Sequence, residues 1–240
     1  MRAAIVSDIH GNLTAFEAVL ADLRETAPDL ILHGGDLGDN GSSPCEVLDQ
    51  IRDLGWAGVV GNTDEMLFDP ESLRRFASGL PQLKSMWDAI EEMAADVRER
   101  IGEERLEWLR ALPREQMHEH FALVHARPDT AWRAPMDSAA DSDLESAYSP
   151  LGRPVVVYGH IHRPFVRKVQ GGVVANSGSV GLPHDGDRRA SYLLLDGGEP
   201  SIRRVEYDVD RELKALRASG MPHADWIARI LESASPQMPG

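Results

Sequence analysis

Aspartate, asparagine and histidine recur in this sequence at one kind of place, directly after a short run of β-formers. Asp8 and His10 follow Ala3 to Val6, Asp36 follows Leu30 to Leu32, and Asn62 follows Gly58 to Val60. His125 follows Phe121 to Val124, and His160 and His162 follow Val155 to Tyr158. These side chains offer carboxylate and amide oxygens and imidazole nitrogens, and no thiolate. That mixture favours Mn²⁺, with Fe or Zn²⁺ as alternatives, over Ca²⁺ or Cu(I). Two or three oxygen donors with four imidazoles exceed what one tetrahedral ion takes, and they suit two divalent ions sharing a bridge.

A lone histidine after a strand is ordinarily a hydrogen-bonded structural residue. The recurrence at successive strand ends is what points to metal. Asp8 and His10, like His160 and His162, stand two apart, so an extended backbone would project both members of each pair to one side. Gly11, Gly34, Gly35, Gly61 and Gly159 permit sharp turns and close backbone approach at the same exits. His33, inside a strand, reads as core or as support for the site, and His118 and His120, in a polar stretch, read as surface.

The elements that must bring these residues together alternate in the first half. Ala3 to Val6 reads as a strand, and Phe16, Val19, Leu20 and Leu23 then recur at helical spacing, with Asn12 available as a cap. Leu30 to Leu32, the helical face Val47, Leu48, Ile51 and Leu54, and Gly58 to Val60 complete a βαβαβ pattern, which predicts a parallel sheet. In such a sheet the carboxyl ends of the strands converge on a crevice, where distant parts of the chain meet. From about 64 to 112 the pattern is helical, with Met86, Ile90, Met93, Val97 and Ile101 as its apolar stripe. This insertion starts at the loop carrying Asn62, so it could overhang what that loop builds, and its methionines read as core. The second half is richer in strands, at Phe121 to Val124, Val155 to Tyr158, Val166 to Val169, Val173 to Ala175, Tyr192 to Leu195 and Ile202 to Tyr207. Gln170-Gly171-Gly172 is a hairpin signal, which predicts antiparallel pairing there. Two closing helices are expected over about 208–233, broken at Gly220 and Pro222.

The chain has 240 residues, a length that fits one domain with a substantial core. Its formal net charge of −14 excludes a broad nucleic-acid footprint and an anionic-membrane surface, both of which need clustered Lys and Arg. The single cysteine, Cys45, excludes an intrachain disulfide and points to a reducing, cytoplasmic setting. Cys45 reads as a helix-start residue. The apolar run at the N-terminus reaches Asp8 too soon for a signal peptide or a spanning helix.

Taken together, "SDIHGN", "HGGDLGD", "VGNTDE", "LVHARP" and "VYGHIH" resemble the calcineurin-like metallophosphoesterase superfamily, and within it the small bacterial and archaeal phosphodiesterases. The resemblance implies an α/β fold, a sandwich of two mixed β-sheets flanked by helices, formed here by a single domain over 1–240 with a helical insertion. It implies that Asp8, His10 and His162 take one metal, that Asn62, His125 and His160 take the other, and that Asp36 bridges them. It also places Asn176 and Ser177 of "ANSGSVGLP" near the site. Paired ions about 3.5–4 Å apart would activate a bridging water and clamp phosphate oxygens for in-line attack on a small phosphoester. Asp36, Asn62 and His125 would then be the catalytic residues. Gly11 and Asn12 open the first helix, whose amides favour an anion nearby, so Asn12 joins Asn62 as an expected substrate contact.

Two departures qualify the resemblance. Many relatives carry a histidine after the asparagine, as "GNHD" or "GNHE", and here the residue is Thr63. A threonine hydroxyl cannot deliver a proton as imidazolium does, and general acid catalysis is typically worth about 10²–10⁴ in rate. Either the leaving group is stable as an alkoxide or phenolate, or another group such as His184 supplies the proton. "HARP" stands where "HGSP" is commoner, and Arg127 could present a guanidinium fork to phosphate, as could Arg188 and Arg189. The leading expectation is a dinuclear-metal phosphodiesterase for a small phosphodiester or nucleotide. The alternatives are a protein Ser/Thr phosphatase and a catalytically weak metal-binding scaffold of the same fold.

Overall fold

The apolar runs become strands that are covered on both faces, which is why they read as continuous hydrophobic segments rather than alternating ones. The computed structural model describes residues 1–239. The strands are β1 (Arg2–Val6), β2 (Leu30–His33), β3 (Ala57–Gly58), β4 (Glu115–Met117), β5 (Phe121–Val124), β6 (Val155–Tyr158), β7 (Phe165–Val169), β8 (Gly172–Asn176), β9 (Ala190–Asp196) and β10 (Glu199–Val205). The helices are α1 (Leu13–Thr26), α2 (Pro44–Asp53), α3 (Asn62–Phe68), α4 (Pro70–Ser78), α5 (Lys84–Arg110), α6 (Asp141–Tyr148), α7 (Val209–Ala218) and α8 (Ala224–Ser233).

One sheet has the order β10-β9-β1-β2-β3 and the other β4-β5-β6-β8-β7. Strands β1, β2 and β3 run parallel, and so do β5, β6 and β8. The flanking pairs β1–β9, β9–β10, β4–β5 and β7–β8 are antiparallel. Both sheets are therefore mixed, and they form the expected sandwich flanked by helices. Ala3 and Ile5 point inward onto Leu123, Val157 and Ala175, and that layer joins the sheets. Ala4 and Val6, one residue out of phase, point to Phe16, Val19 and Ile51 of α1 and α2. On the far side, Ala122, Val124, Val156 and Tyr158 pack on Leu144, Ala147 and Tyr148 of α6.

The hairpin at Gly171 and the two closing helices lie where the sequence places them. The strand expected at Gly58 to Val60 is shorter and earlier, Ala57–Gly58, although Val59 and Val60 stay buried. The insertion starts at Asn62 and comprises α3, α4 and α5, the last kinked where Gly102 takes φ 70°. Val97 and Ile101 pack with α1 and α2, and Met93 packs with α7 and α8, so its methionine stripe is core. Cys45 sits in the first turn of α2, donates its Sγ–H to the Arg100 carbonyl at 3.4 Å, and has its thiol pushed up by burial. Among the described residues no helix is long and apolar enough to cross a membrane.

Candidate metal centre

Strands β1, β2, β3, β5 and β6 each lead into a donor side chain at the carboxyl end, and after β1, β2 and β6 the backbone is not extended. Asp8, His10, Asp36, His160 and His162 take φ of 55°, 51°, 55°, 66° and 56°, in the left-handed region that non-glycine residues seldom occupy. This corrects the spacing argument: left-handed turns, rather than strand alternation, aim these side chains. Hydrogen bonds beyond the strand ends over-determine the turns, as such strain requires. Asp8 N donates to Gly35 O at 3.0 Å, His10 N to Asp36 O at 3.0 Å, and Gly11 N to Leu37 O at 2.8 Å.

The five left-handed residues, with Asn62 and His125, bring the seven expected side chains into two abutting groups. Asp8, His10, Asp36 and His162 each offer a ligand atom, all within 4.8 Å of one another, and so do Asp36, His125 and His160. Asp36 belongs to both. Its Oδ2 lies 3.8 Å from His10 Nε2 and 3.4 Å from His125 Nε2. Asn62 Oδ1 adds an oxygen to the second group, 3.0 Å from His125 Nε2 and 2.8 Å from His160 Nδ1. His160 and His162 thus go to different groups, one each.

The imidazoles are oriented from behind. The Nδ1–H groups of His10, His125 and His162 face the carbonyls of Asp39, Gly34 and Leu182 at 3.1, 2.8 and 2.6 Å. That fixes the tautomer and turns each Nε2 lone pair inward, the usual support for a metal-binding histidine. His10 Nε2 and His162 Nε2 stand only 3.1 Å apart. A proton shared between the two nitrogens or a bound cation satisfies that contact, and the set of imidazoles and carboxylates around it fits divalent metal.

Electrostatics agree. Burial alone would raise the carboxyls of Asp8 and Asp36, yet His162 beside the first and His125 beside the second hold both below the usual carboxylate range. Against burial, the Asp36 charge lifts His125 to about 10, and Asp8 lifts His162. Burial and a neighbouring imidazole push His10 and His160 down to about 4.

Three positions that the sequence reading did not single out support the cluster. Asp64 accepts from the backbone N–H groups of Asp36, Leu37 and Gly61 at 2.8, 2.9 and 3.0 Å, stitching the Asp36 turn to α3. Ser7 donates to Asp8 Oδ2 at 2.5 Å. Asp39 is buried with neither carboxylate oxygen bonded, and burial with Asp36 nearby raises it to about 8. The carboxylate of "GDLGD" was visible as a motif, whereas the partners of Asp64 are all backbone.

The other expected residues divide. Asn12 is occupied structurally: its Oδ1 caps α1 at Ala15 N and its Nδ2 donates to Gly181 O. Asn176 ties Gly159 O to Gly178 N, and Ser177 is buried. Arg127 pairs with Asp129 at 3.0 Å and lines a groove over α6 that contains none of the seven. Arg189 pairs with Asp187, and Arg188 lines a separate groove beside Tyr207. His184 is not an exposed loop residue: it stacks on His162 with ring centroids 4.3 Å apart. Burial and His162 push it down to about 2, which keeps the ring neutral and speaks against an acid role. His33 is core, fully buried with its ring nitrogens unbonded. His118 is partly buried against Phe121 rather than at the surface, because the polar residues around it hide that one contact, and His120 is exposed.

Residues 1–199 match the calcineurin-like phosphoesterase superfamily domain. The chain belongs to the calcineurin-like phosphoesterase superfamily. A protein of Methanocaldococcus jannaschii, named only as uncharacterized protein MJ0912, is 30% identical over 251 residues, covering 95% of this chain and 96% of that one. The crystal structure of a metallophosphoesterase from Sphaerobacter thermophilus superposes with a TM-score of 0.78 at 25% identity, covering 98% of this chain and 100% of the other. A symmetrical bis(5'-nucleosyl)-tetraphosphatase of Methylococcus capsulatus is 31% identical over 147 residues, 59% of this chain and 48% of that protein. The paired donor cluster is consistent with a dinuclear phosphoesterase centre of this superfamily.

Proposed function

We infer that the protein is a metal-dependent phosphodiesterase for a small phosphodiester or nucleotide, similar in kind to the small bacterial and archaeal phosphodiesterases. The observation that carries this is the double membership of Asp36, whose Oδ2 reaches imidazoles of both donor groups. Asp8, His10 and His162 would hold one ion, Asn62, His125 and His160 the other, and Asp36 both. Two divalent ions held there, with Mn²⁺ favoured by the mixed donors, supply a nucleophile at neutral pH and charge stabilisation for in-line displacement at phosphorus. The protein's own part is positional. The carbonyl-anchored imidazoles keep their Nε2 atoms aimed, and Asn62, with Oδ1 turned to the histidines, has its Nδ2 to donate to a phosphate oxygen.

Thr63 and the neutral His184 leave the departing oxygen without an evident proton donor, which favours substrates whose alkoxide or phenolate is stable. A cytoplasmic setting suits the one unpaired cysteine. The test is hydrolysis of bis(p-nitrophenyl) phosphate by protein with its bound metal quantified, before and after Mn²⁺ addition. Turnover should depend on metal and collapse in Asp36→Asn and His125→Ala. Full activity in metal-free protein defeats the reading. Hydrolysis of phosphopeptide in preference to cyclic and dinucleotide substrates would make it a protein phosphatase instead, and two bound ions without turnover on any phosphoester would make it a scaffold.

A further inference from the structure

Between the helical insertion and the segment after His125 lies a groove of about 480 Å³, within the range of small-molecule sites. Arg75, Arg114 and Arg133 line it together with Phe76 and Trp132, a concentration of guanidinium groups that stands out in a chain of net charge −14. Arg75 is held by Asp69 and Arg114 by Glu65, each at 2.8 Å. Arg133 has no carboxylate partner among the described residues, and its guanidinium lies over the Phe76 ring, 5.4 Å from the centroid. The rings of Phe76 and Trp132 pack at a tilt, with centroids 5.1 Å apart and planes at 33°, and Trp132 Nε1 donates to Glu65 Oε2 at 2.9 Å, which fixes the indole. An immobilised aromatic wall therefore stands next to a guanidinium that no carboxylate neutralises.

Both walls of the groove begin at metal-site residues. Glu65 lies one turn of α3 beyond Asn62, about 4.5 Å along the axis at the usual helical rise. The other wall is the segment after His125, folded back by reciprocal backbone hydrogen bonds between Arg127 and Thr130 at 3.0 and 3.3 Å. An aromatic face stacks any nucleobase, and a free guanidinium pairs with phosphate oxygens through parallel N–H bonds. A phosphopeptide offers a phosphate without a flat π-surface, whereas a nucleotide offers both. We propose that this groove is the subsite for the base and the non-reacting phosphate of a nucleotide substrate, with Trp132 and Arg133 as its specificity-determining residues. As a statement about the substrate it rests on the phosphoesterase reading; as a statement about binding it does not.

The experiment has two arms on the full chain. In the first, adenosine 5'-monophosphate is titrated without added metal, followed by tryptophan fluorescence and calorimetry. Arg133→Gln should weaken binding about tenfold, the loss typical of one charged phosphate contact, and Trp132→Phe should remove most of the quench. Inorganic phosphate and adenosine, titrated separately, should each bind more weakly than the nucleotide. In the second, the ratio of kcat/KM for a dinucleotide to that for bis(p-nitrophenyl) phosphate should fall about tenfold in Arg133→Gln, on the same scale. Nucleotide binding indifferent to both substitutions, or an unchanged ratio, overturns the proposal. Nucleotide binding that responds to Arg133, in a protein that hydrolyses no phosphoester with Mn²⁺, upholds the groove and removes the activity.

Discussion

The backbone amide of His160 donates to both carboxylate oxygens of Asp8, at 3.0 and 3.2 Å, and so joins the ends of β1 and β6 from opposite sheets. The chain can approach this closely because the preceding residue, Gly159, has no side chain. A Cβ there would lie 2.3 Å from both Asp8 Oδ2 and Ser7 Oγ. One contact therefore both ties the two sheets together at this point and aims a side chain of the donor cluster.

Gly159→Ala should consequently damage stability and metal binding together. Forcing a methyl group into a filled site typically costs about 1–3 kcal/mol. Gly171→Ala, in the β7–β8 turn where an added Cβ meets nothing within 4 Å, should change stability by less than about 0.5 kcal/mol. Urea unfolding and metal titration of the two variants check this. Equal behaviour would show that the close approach at Gly159 does not matter.

Asp64 supplies a second structural test. In Asp64→Ala the amides of Asp36, Leu37 and Gly61 all lose their acceptor inside a buried turn, and each unsatisfied group costs about 1–3 kcal/mol. A marked fall in thermal midpoint is expected, with weaker metal binding because the Asp36 turn is no longer held. An unchanged midpoint would mean that the turn finds other partners.

How much of this was legible follows from what each residue contacts. The two-sided burial of β1, β5 and β6 leaves unbroken apolar runs, so the strands could be read directly and the ligands at their ends with them. β4 is Glu-Gln-Met, exposed at a sheet edge and held by backbone bonds to β5, so it carries neither a run nor an alternation. The left-handed turns at Asp8, Asp36 and His162 are uncommon for any residue but glycine, even though Asp and His tolerate them better than most, and tertiary hydrogen bonds hold them, which is why an extended backbone was the natural, wrong expectation. Arg127 and Asn12 have site-like chemistry and site-adjacent positions, but Asp129 and the α1 amides engage them first. Phe76 and Trp132 are far apart in sequence and meet only once the insertion folds back.

Away from the site, Asp22 couples α1 to the outer strands and gives the fold a pH dependence. Tyr192 Oη–H donates to its Oδ2 at 2.6 Å and Arg203 to its Oδ1 at 2.7 Å. Burial would raise this carboxyl, but the hydrogen bonds from Arg203 and Tyr192 bring it below the ordinary 3.8. The unfolded chain then binds the proton more readily than the folded one, so stability rises with pH across that interval. The contribution is fully present above the ordinary carboxylate value and is lost as pH falls through the lower folded value. Asp22→Asn should cost about 1 kcal/mol at neutral pH, Arg203 being partly exposed, and the difference from the unsubstituted protein in urea should narrow as the pH falls below the ordinary carboxylate value of 3.8. A difference that stays constant with pH would assign the loss to packing.

Thr63 bears on the chemistry itself. Its backbone N–H donates to Asp36 Oδ1 at 2.9 Å, which sets the side chain beside the carboxylate that both donor groups share, while its Oγ1 is buried with no partner. With no acid at this position, the rate should depend steeply on the leaving group, and p-nitrophenyl esters should far outpace alkyl esters. Thr63→His restores an imidazole at the first turn of α3. It should raise alkyl ester turnover toward the factor of about 10²–10⁴ that a positioned acid supplies, and leave aryl ester turnover nearly unchanged. The measurement is kcat across esters of graded leaving-group pKa. A shallower dependence in the variant is expected, and the same slope in both proteins would mean that the proton already comes from elsewhere.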